Sequence, residues 1–458
     1  MRAIHWFRSD LRFDDNQALD VAADHADELG LLFCLDPRFY KRDEQTPRIA
    51  FLNDALTALA GAAAERGLSL WILRGAPEDR LPRLATELGV TLVTWNRDYS
   101  PVAKQRDRDV MKALTAAGIG YRHTKDRVVF ESHEVLTKSG DGFKVYTPYR
   151  NAWWRAYEAC DLGIVQRTRW PKPIAASVPS EEPAAVDLKM TLPKASEQSA
   201  RARFETFLEN GAFEYEQQRD IPAVDGTSRL SPYFRFGMLS IRRVIRDARA
   251  EMDRAGESMG FRKWLDELVW REFYHAILDR YPGVMSGAFR SEYNALEWDN
   301  NPEHFAAWCE GRTGFPFVDA GMRQLNATGW MHNRVRMVVA SFLTKDLLID
   351  WRWGERYFMS RLVDGDPASN NGGWQWAAST GTDAQPYFRI FNPTAQGERF
   401  DPEGEYIRRW VPALERLRAK AVHRPETSTS LAPGYPAPIV DHRERRTMAL
   451  ARYKAVRD

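Results

Sequence analysis

The sequence predicts an α/β fold, with an N-terminal doubly wound parallel sheet followed by an all-helical C-terminal domain. Three observations predict it. Within the first 130 residues, short apolar runs alternate with longer segments of helical period. Beyond residue 200 the strand signals vanish, and apolar residues recur at three- and four-residue spacing. Between the two lies a stretch rich in Pro, Ala, Ser and Glu, WPKPIAASVPSEEPAAVDLKMTLPKAS, without periodicity. The expected divisions are therefore 1–130, a connector over 131–200, and 201–458.

The elements follow in order. Ala3–Phe7 and Gly30–Leu35 read as the first two strands, and Leu68–Leu73 and Val90–Trp95 as the next two. Helical segments fill about 48–66, 77–88 and 102–117. This is the Rossmann-like pattern, yet neither GxGxxG nor Walker A occurs, so an ordinary dinucleotide or triphosphate site has no sequence support. Ligands of such sheets bind beyond the carboxyl ends of the strands. Arg8-Ser9-Asp10, Asp36-Pro37 and Asn96-Arg97-Asp98 form a candidate cluster there, with plain loop residues as the alternative. In the second half, Ala202–Leu208, Arg262–Leu278 and Arg334–Leu348 carry helical periodicity.

At ~150 residues per domain, 458 residues correspond to about three domains, enough to bury two substantial cores. Lys plus Arg number 65 against 63 Asp plus Glu, a net of +2, which excludes nucleic-acid coating by bulk charge. With 44% hydrophobic residues, wholesale disorder is excluded too. Cys34, Cys160 and Cys309 lie far apart in no CxxC pair, the pattern of a reducing compartment. The start MRAIHWFRSDLRF has no apolar core of a signal peptide, and no run of about 18 apolar residues occurs. A cytoplasmic, non-membrane protein is expected. Tryptophan is the outlier: ten of the sixteen fall between Trp264 and Trp410.

Four constellations carry chemistry. In GTSRLSPYFRFGMLS (226–240), hydroxyls and free backbone N–H groups suit either a capping box or a diphosphate. In WLDELVWREFYHAIL (264–278), Trp264, Glu267 and Trp270 or Arg271 share a helical face; the alternative is a Glu267–Arg271 pair on a partly buried helix. In GWMHNRVRM (329–337), Trp330, Asn333 and Met337 share a face flanked by Arg334 and Arg336, residue types that read bases and phosphates. His332 has no second His at ligand spacing, so no metal is expected. In DGDPASNNGGWQWAASTGTDAQPYFRIFNP (364–393), two tryptophans beside Gly372-Gly373 imply close approach of something large and flat. Asp364 and Asp366 lack a third ligand for a metal.

Together with DWRWGERYFMS (350–360), these motifs resemble the photolyase/cryptochrome family, and within it the class I cyclobutane pyrimidine dimer photolyases. The resemblance runs from HWFRSDLR (5–12) to the C-terminal helices. It implies an N-terminal antenna-chromophore domain and a C-terminal domain that binds FAD and DNA. Tyr215, Thr227, Ser228, Arg229, Leu230 and Ser231 would hold the diphosphate and ribityl region. Trp330, Asn333, Arg336, Asp364 and Asp366 would surround the flavin and adenine. Asn370 would lie opposite flavin N5, the photolyase-like choice for holding a reduced anionic flavin. Trp374, Trp351 and Trp298 match the family's electron chain. Trp270 and Trp376 match the indoles flanking a flipped dimer, and Glu267, Asn333 and Met337 its base contacts. Arg219, Arg271, Arg334 and Arg389 match positions near the DNA backbone.

The implied activity is light-driven splitting of cyclobutane pyrimidine dimers by an electron from excited reduced FAD, acting on ultraviolet-damaged DNA as a monomer. The (6-4) photolyases carry His in place of Asn333 and Met337, which favours the cyclobutane substrate. The alternative is a cryptochrome-type photoreceptor without repair; the short stretch after Trp410 and the presence of Trp270, Asn333, Met337 and Trp376 favour repair. For the antenna, Lys104 stands where folate-binding members have Glu, and NRDYSP (96–101) resembles deazaflavin-binding members. The expectation is 8-hydroxy-5-deazaflavin, with methenyltetrahydrofolate or no antenna as alternatives.

Overall fold

The structure, a computed structural model, describes residues 1–40, 45–183, 186–256, 258–418, 420–426, 432 and 434–456. Residues 184 and 185 of the predicted connector fall outside them. Strands β1 (Arg2–Phe7), β2 (Glu28–Leu35), β3 (Leu70–Arg74), β4 (Leu92–Asn96) and β5 (Gly120–Thr124) form a parallel sheet in the order β3-β2-β1-β4-β5. The two residues of β6 (Lys172–Pro173) pair with the start of β2. The central strands are buried on both faces, which is why they read as unbroken apolar runs. Strand β5, Gly-Tyr-Arg-His-Thr, is an exposed edge and gave no apolar signal.

Helices α1 (Gln17–His25), α2 (Pro47–Ala64), α3 (Pro77–Glu87) and α4 (Pro101–Ala116) cover the sheet. The last three begin at proline, whose missing N–H would be unsatisfied in a first turn anyway. Thr46 and Ser100 cap α2 and α4 by accepting from the N–H of Ile49 and Ala103. Helix α1, unexpected from sequence, is held by Asn16, which accepts from the Leu19 N–H.

The connector is structured: α5 (Tyr146–Glu158) lies within it. There follow α6 (Glu197–Asn210), α7 (Tyr215–Gln218), α8 (Ser231–Phe236), α9 (Ile241–Ala255), α10 (Met259–Arg280), α11 (Pro302–Glu310) and α12 (Pro316–Thr328). The chain continues through α13 (Asn333–Ser341), α14 (Trp351–Arg361), α15 (Pro367–Ala377), α16 (Pro393–Phe400), α17 (Glu405–Trp410) and α18 (His442–Ala455). Helix α10 is buried round most of its circumference, because α5, α7, α9 and α15 all pack on it. The helix expected over 334–348 ends at Ser341 and widens into a π turn, Phe342–Asp346. That turn carries the buried Lys345, whose ammonium bonds Ser379 Oγ at 3.0 Å and lies 3.4 Å from the Tyr453 ring. Burial pushes its pKa well down.

Sheet and helical halves are joined backbone to backbone. The Leu11 N–H donates to Phe236 O at 3.0 Å, and Gly237, at φ 65°, leaves no room for a Cβ against Ser9. Arg12, buried in this seam, donates to the Asp126 carboxylate and to Gly237 O at 3.0 Å. Asp15 accepts from Arg242, and from Ser240 Oγ at 2.5 Å. Among the described residues no helix is long and apolar enough to cross a membrane, and no group of three or more His, Cys, Asp or Glu is placed to hold a metal ion.

Candidate active site

The cradle starts at Asp364. Leu230 occupies the cap position of α8 without a side-chain cap bond, so GTSRLS does not form a capping box. Ser231 Oγ instead donates to Asp364 Oδ2 at 2.5 Å, and Arg336 Nη2 donates to the same oxygen at 2.8 Å. Asp364 Oδ1 is buried without a partner. An orphaned carboxylate oxygen in the interior is costly unless a ligand supplies a donor.

Asp366 caps α15, its Oδ1 accepting from the N–H groups of Ala368 and Ser369 at 3.0 Å, while Oδ2 takes Arg127 Nη2 at 2.7 Å. Burial alone would raise its pKa, but His275, Arg127, Arg235 and Arg271 outweigh that and hold it well below the usual carboxylate range. Asn370 donates from Nδ2 to Glu355 O at 3.1 Å, leaving its oxygen without a described partner. Asn371 joins the Glu355 carboxylate at 2.9 Å, where burial raises Glu355 to about 7.

Thr227 and Ser228 are fixed through their carbonyls, which accept from Arg203 at 3.1 and 2.9 Å, and their hydroxyls have no described partner. Arg229 adopts a left-handed φ of 51° and lies 4.8 Å from the Trp330 ring. Tyr215 is buried, with the Arg219 guanidinium 5.3 Å from its ring. An unpaired carboxylate oxygen, free hydroxyls and a half-buried indole in one neighbourhood fit a large polyhydroxylated cofactor such as FAD.

A second group faces outward from α10, α13 and α15. Trp270 stacks on Tyr146 at 3.5 Å with the rings inclined by 10°. Tyr146 is itself pinned: its hydroxyl donates to Asp266 O at 2.6 Å and its N–H to Asp383 at 3.1 Å. Sequence reasoning missed it, although YTPYRNAWWRAY (146–157) holds five aromatics in twelve residues. An aromatic pair of this kind contributes roughly 0.5–1.5 kcal/mol beyond burial. Tyr146→Ala should therefore lower stability by at least about that amount in denaturant titration, while Tyr146→Phe, which keeps the ring, should lie closer to the parent; equal stabilities for all three would refute the backing role.

Glu267 pairs with Arg219 at 2.7 Å, not with Arg271. Burial raises the Glu267 pKa, and Arg219 opposes the rise. Asn333 Nδ2 lies 3.9 Å from Met337 Sδ, confirming their shared face. Arg334 pairs with Asp220 at 2.9 Å over the Phe400 ring. Trp376 is half-buried, and Arg389 is exposed in the loop after α15.

Two expectations are corrected. Arg271 does not reach this rim: its Nη1 donates to Arg127 O at 2.7 Å, and burial lowers its pKa to about 10. Trp264 belongs to the core, packed on Phe204 and Phe207. His332 caps α13, accepting from the Arg334 N–H at 3.2 Å, and burial lowers its pKa to about 4.

Trp374 and Trp351 are buried at 2% and 1% exposure, while Trp298 is half-buried at the edge of the same cluster. Trp374 meets Phe358 at 5.0 Å and Trp308 at 6.0 Å. Gly354 leaves no room for a Cβ beside the Trp374 ring.

Above the sheet lies a cavity of about 370 Å³. Arg8, Ser9, Asp36 and Asp98 from the strand-end cluster line it, beside Arg38, Arg48, Arg106, Arg127, Arg235 and His275. Arg8 Nη2, Arg127 Nε and His275 Nε2 are buried without hydrogen-bond partners, His275 Nε2 lying 3.8 Å from Asp366 Oδ1. Arg127 bridges Asp98 and Asp366 at 3.4 and 2.7 Å. The rest of the predicted cluster is structural: Asn96 bonds Asp10 at 2.6 Å, and Arg97 pairs with Glu131 at 2.7 Å.

A sheet domain and a helical domain, seamed together, share an arginine-lined cavity, and the helical domain adds a buried carboxylate cradle and a set of partly exposed aromatic side chains. Residues 3–173 match the family model described as DNA photolyase, and residues 264–455 that of the FAD binding domain of DNA photolyase. The deoxyribodipyrimidine photo-lyase of Escherichia coli K12 is 43% identical over 471 residues, covering 99% of this chain and 98% of that one. A bacterial class III photolyase from Agrobacterium tumefaciens superposes with a TM-score of 0.90 at 37% identity, covering 100% of this chain and 98% of its own. An archaeal photolyase from Sulfolobus tokodaii with two FAD molecules gives 0.82 at 33% identity, covering 99% and 100%. The chain belongs to the photolyase/cryptochrome family.

Proposed function

We propose that this chain is a deoxyribodipyrimidine photo-lyase that repairs cyclobutane pyrimidine dimers in ultraviolet-damaged DNA under light. The observation that carries the reading is the buried, half-satisfied Asp364 in a helical domain that leaves Trp270, Trp376, Asn333 and Met337 open to solvent. FAD held by these residues would supply reversible one-electron donation under light, the chemistry that opening a cyclobutane ring needs. The chain does the rest.

Asp364, Arg336 and Ser231 orient the cofactor, Thr227 and Ser228 offer hydroxyls toward its ribityl and diphosphate part, and Asn370 presents its amide oxygen. A dimer must leave the helix to reach a buried cofactor, and poor stacking at the lesion lowers that cost. Trp270 and Trp376 replace the lost stacking, about 1–3 kcal/mol per base. Asn333 can donate to and accept from base edges, Met337 fills the apolar side, and Glu267 faces the base carbonyls. Arg219, Arg334 and Arg389 meet backbone phosphates. Trp374, Trp351 and Trp298 lead from the buried interior to the surface as a path for electrons.

Class I membership rests on the motif resemblance. The cavity above the sheet holds the antenna, which we assign as 8-hydroxy-5-deazaflavin, an ionisable phenol suited to six arginines against three aspartates. Lys104, in the place of the folate-binding Glu, is engaged by Asp279 at 2.7 Å. The absorption spectrum of the purified protein identifies the pigment. The test of function is illumination of the reduced protein with dimer-containing oligothymidylate. Thymine absorbance should recover only in the light; flavin photoreduction without recovery would instead support a photoreceptor.

A further inference from the structure

Asp364, Gly365 and Asp366 stand between two sites and serve one on each side. Asp364 anchors the cofactor cradle, with Ser231 and Arg336 on its Oδ2 and its Oδ1 unpartnered among the described residues. Asp366, two residues on, lines the cavity above the sheet together with Pro367 and Ala368. Gly365 is gripped from the cavity side. Its carbonyl accepts from Arg235 Nε at 2.8 Å, and a Cβ there would meet Arg48 Cδ at 3.3 Å and Met359 Sδ at 3.4 Å. Arg48, Arg235 and Met359 all line the cavity. Helix α8 thus holds the segment at two points one turn apart, through Ser231 toward the cradle and Arg235 toward the cavity.

We propose that this segment couples the two sites: a pigment bound in the cavity tightens the hold on FAD, and FAD tightens the hold on the pigment by the same factor. The inference rests on the photolyase reading above, with the cavity as its antenna site. It adds a binding cooperativity and a positioning role for Arg127 and Arg235.

Arg127 supplies the lever. Its side chain lines the cavity, with Nη2 on Asp366 Oδ2 at 2.7 Å and Nη1 at 3.4 Å from Asp98 Oδ2. Its Nε is buried without a hydrogen-bond partner among the described residues. The donors of a guanidinium lie in one rigid plane. An acceptor on the pigment that takes Nε therefore also fixes the direction of Nη2, and with it Asp366. That carboxylate caps α15 through the N–H groups of Ala368 and Ser369, and Asn370 follows in the same turn.

Arg235 responds in the same sense. Desolvation and the neighbouring like charge of Arg127 press its pKa down to about 10. An electron-rich group in the cavity offsets that repulsion and lets Arg235 keep Gly365 O. Each ligand then finds part of the segment already ordered by the other, and pays less to order the rest.

The experiment is equilibrium dialysis of the full chain against FAD, in the dark, with and without saturating 8-hydroxy-5-deazaflavin, both pigments being counted by chromatography. The FAD dissociation constant should fall about fivefold or more when the deazaflavin is present, and the reverse titration should return the same factor. Arg127→Lys keeps the charge but not the plane, and should bring the factor close to one in a chain still folded by circular dichroism. Arg235→Gln releases Gly365 and should weaken FAD binding several-fold even without deazaflavin, while Arg235→Lys recovers part of the loss. An FAD affinity that bound deazaflavin leaves unchanged in the wild type, or a factor that survives in Arg127→Lys, would overturn the coupling. Failure of the deazaflavin to bind would sink the antenna assignment, and methenyltetrahydrofolate then takes its place in the same titrations. Whichever pigment binds, Arg235→Gln holding FAD as tightly as the parent overturns the role of the segment. Failure of light-driven repair would sink the photolyase reading instead.

Discussion

Arg12→Ala lowers the stability of the chain by about 3–5 kcal/mol, the usual loss when one member of a buried ion pair is removed. The guanidinium is 1% exposed and donates to both oxygens of Asp126, to Gly237 O at 3.0 Å, and to Asp14 O and Asp15 O at 2.8 Å. Alanine leaves the Asp126 carboxylate in the interior without its cation, where burial already presses its pKa upward. It also strips three carbonyls of a donor in the seam between the halves. Lysine keeps the charge but not the planar fork, so Arg12→Lys should fall between parent and alanine variant. Thermal melting checks both, and an alanine variant melting within about 2 °C of the parent would contradict the argument.

Asp364→Ala should yield a folded protein that loses FAD on purification. Its Oδ2 gathers Ser231 and Arg336, and its Oδ1 is the buried oxygen without a partner. A hydrogen bond to a charged group contributes about 1.5–3 kcal/mol, so loss of this one weakens retention by roughly tenfold or more. Releasing Arg336, which keeps its bond to Met331 O at 2.7 Å, adds to the effect. The ratio of flavin to protein absorbance, followed by titration with FAD, measures it. Full flavin occupancy in the variant would remove Asp364 from the cofactor site.

The sheet was legible where the physics wrote apolar runs. Strands β1 to β4 are predominantly apolar, and each was located to within about two residues, as periodicity permits. Strand β5 and helix α1 were not, because an edge strand needs only one buried face and a helix of small residues shows little contrast. The carboxylate cradle was legible through its long motif, but its wiring was not. That Ser231 serves Asp364 and not a helix cap depends on residues 133 positions apart. Arg271 shows the limit most clearly: helical spacing put it on the face of Glu267, yet a carbonyl from Arg127, 144 residues away, drew its side chain elsewhere. Tyr146 could be found only as a member of an aromatic-rich run; its stacking partner is set by tertiary contact.

Gly237 has a meaning outside stability. The cavity above the sheet is walled by both halves, by Arg8 and Asp98 on one side and by Arg235, Phe236 and Asp366 on the other. It lies beside a seam in which one backbone touches another, Leu11 against Phe236, with Gly237 pressed on Ser9. Arg127 adds a direct strut, from Asp98 at the cavity to Asp366 at the head of α15. The seam thus acts as the mould of a cavity that neither half encloses alone. A larger residue at Gly237, pressed on the Ser9 and Asp10 backbone, would change the shape of that cavity before it unfolded either half.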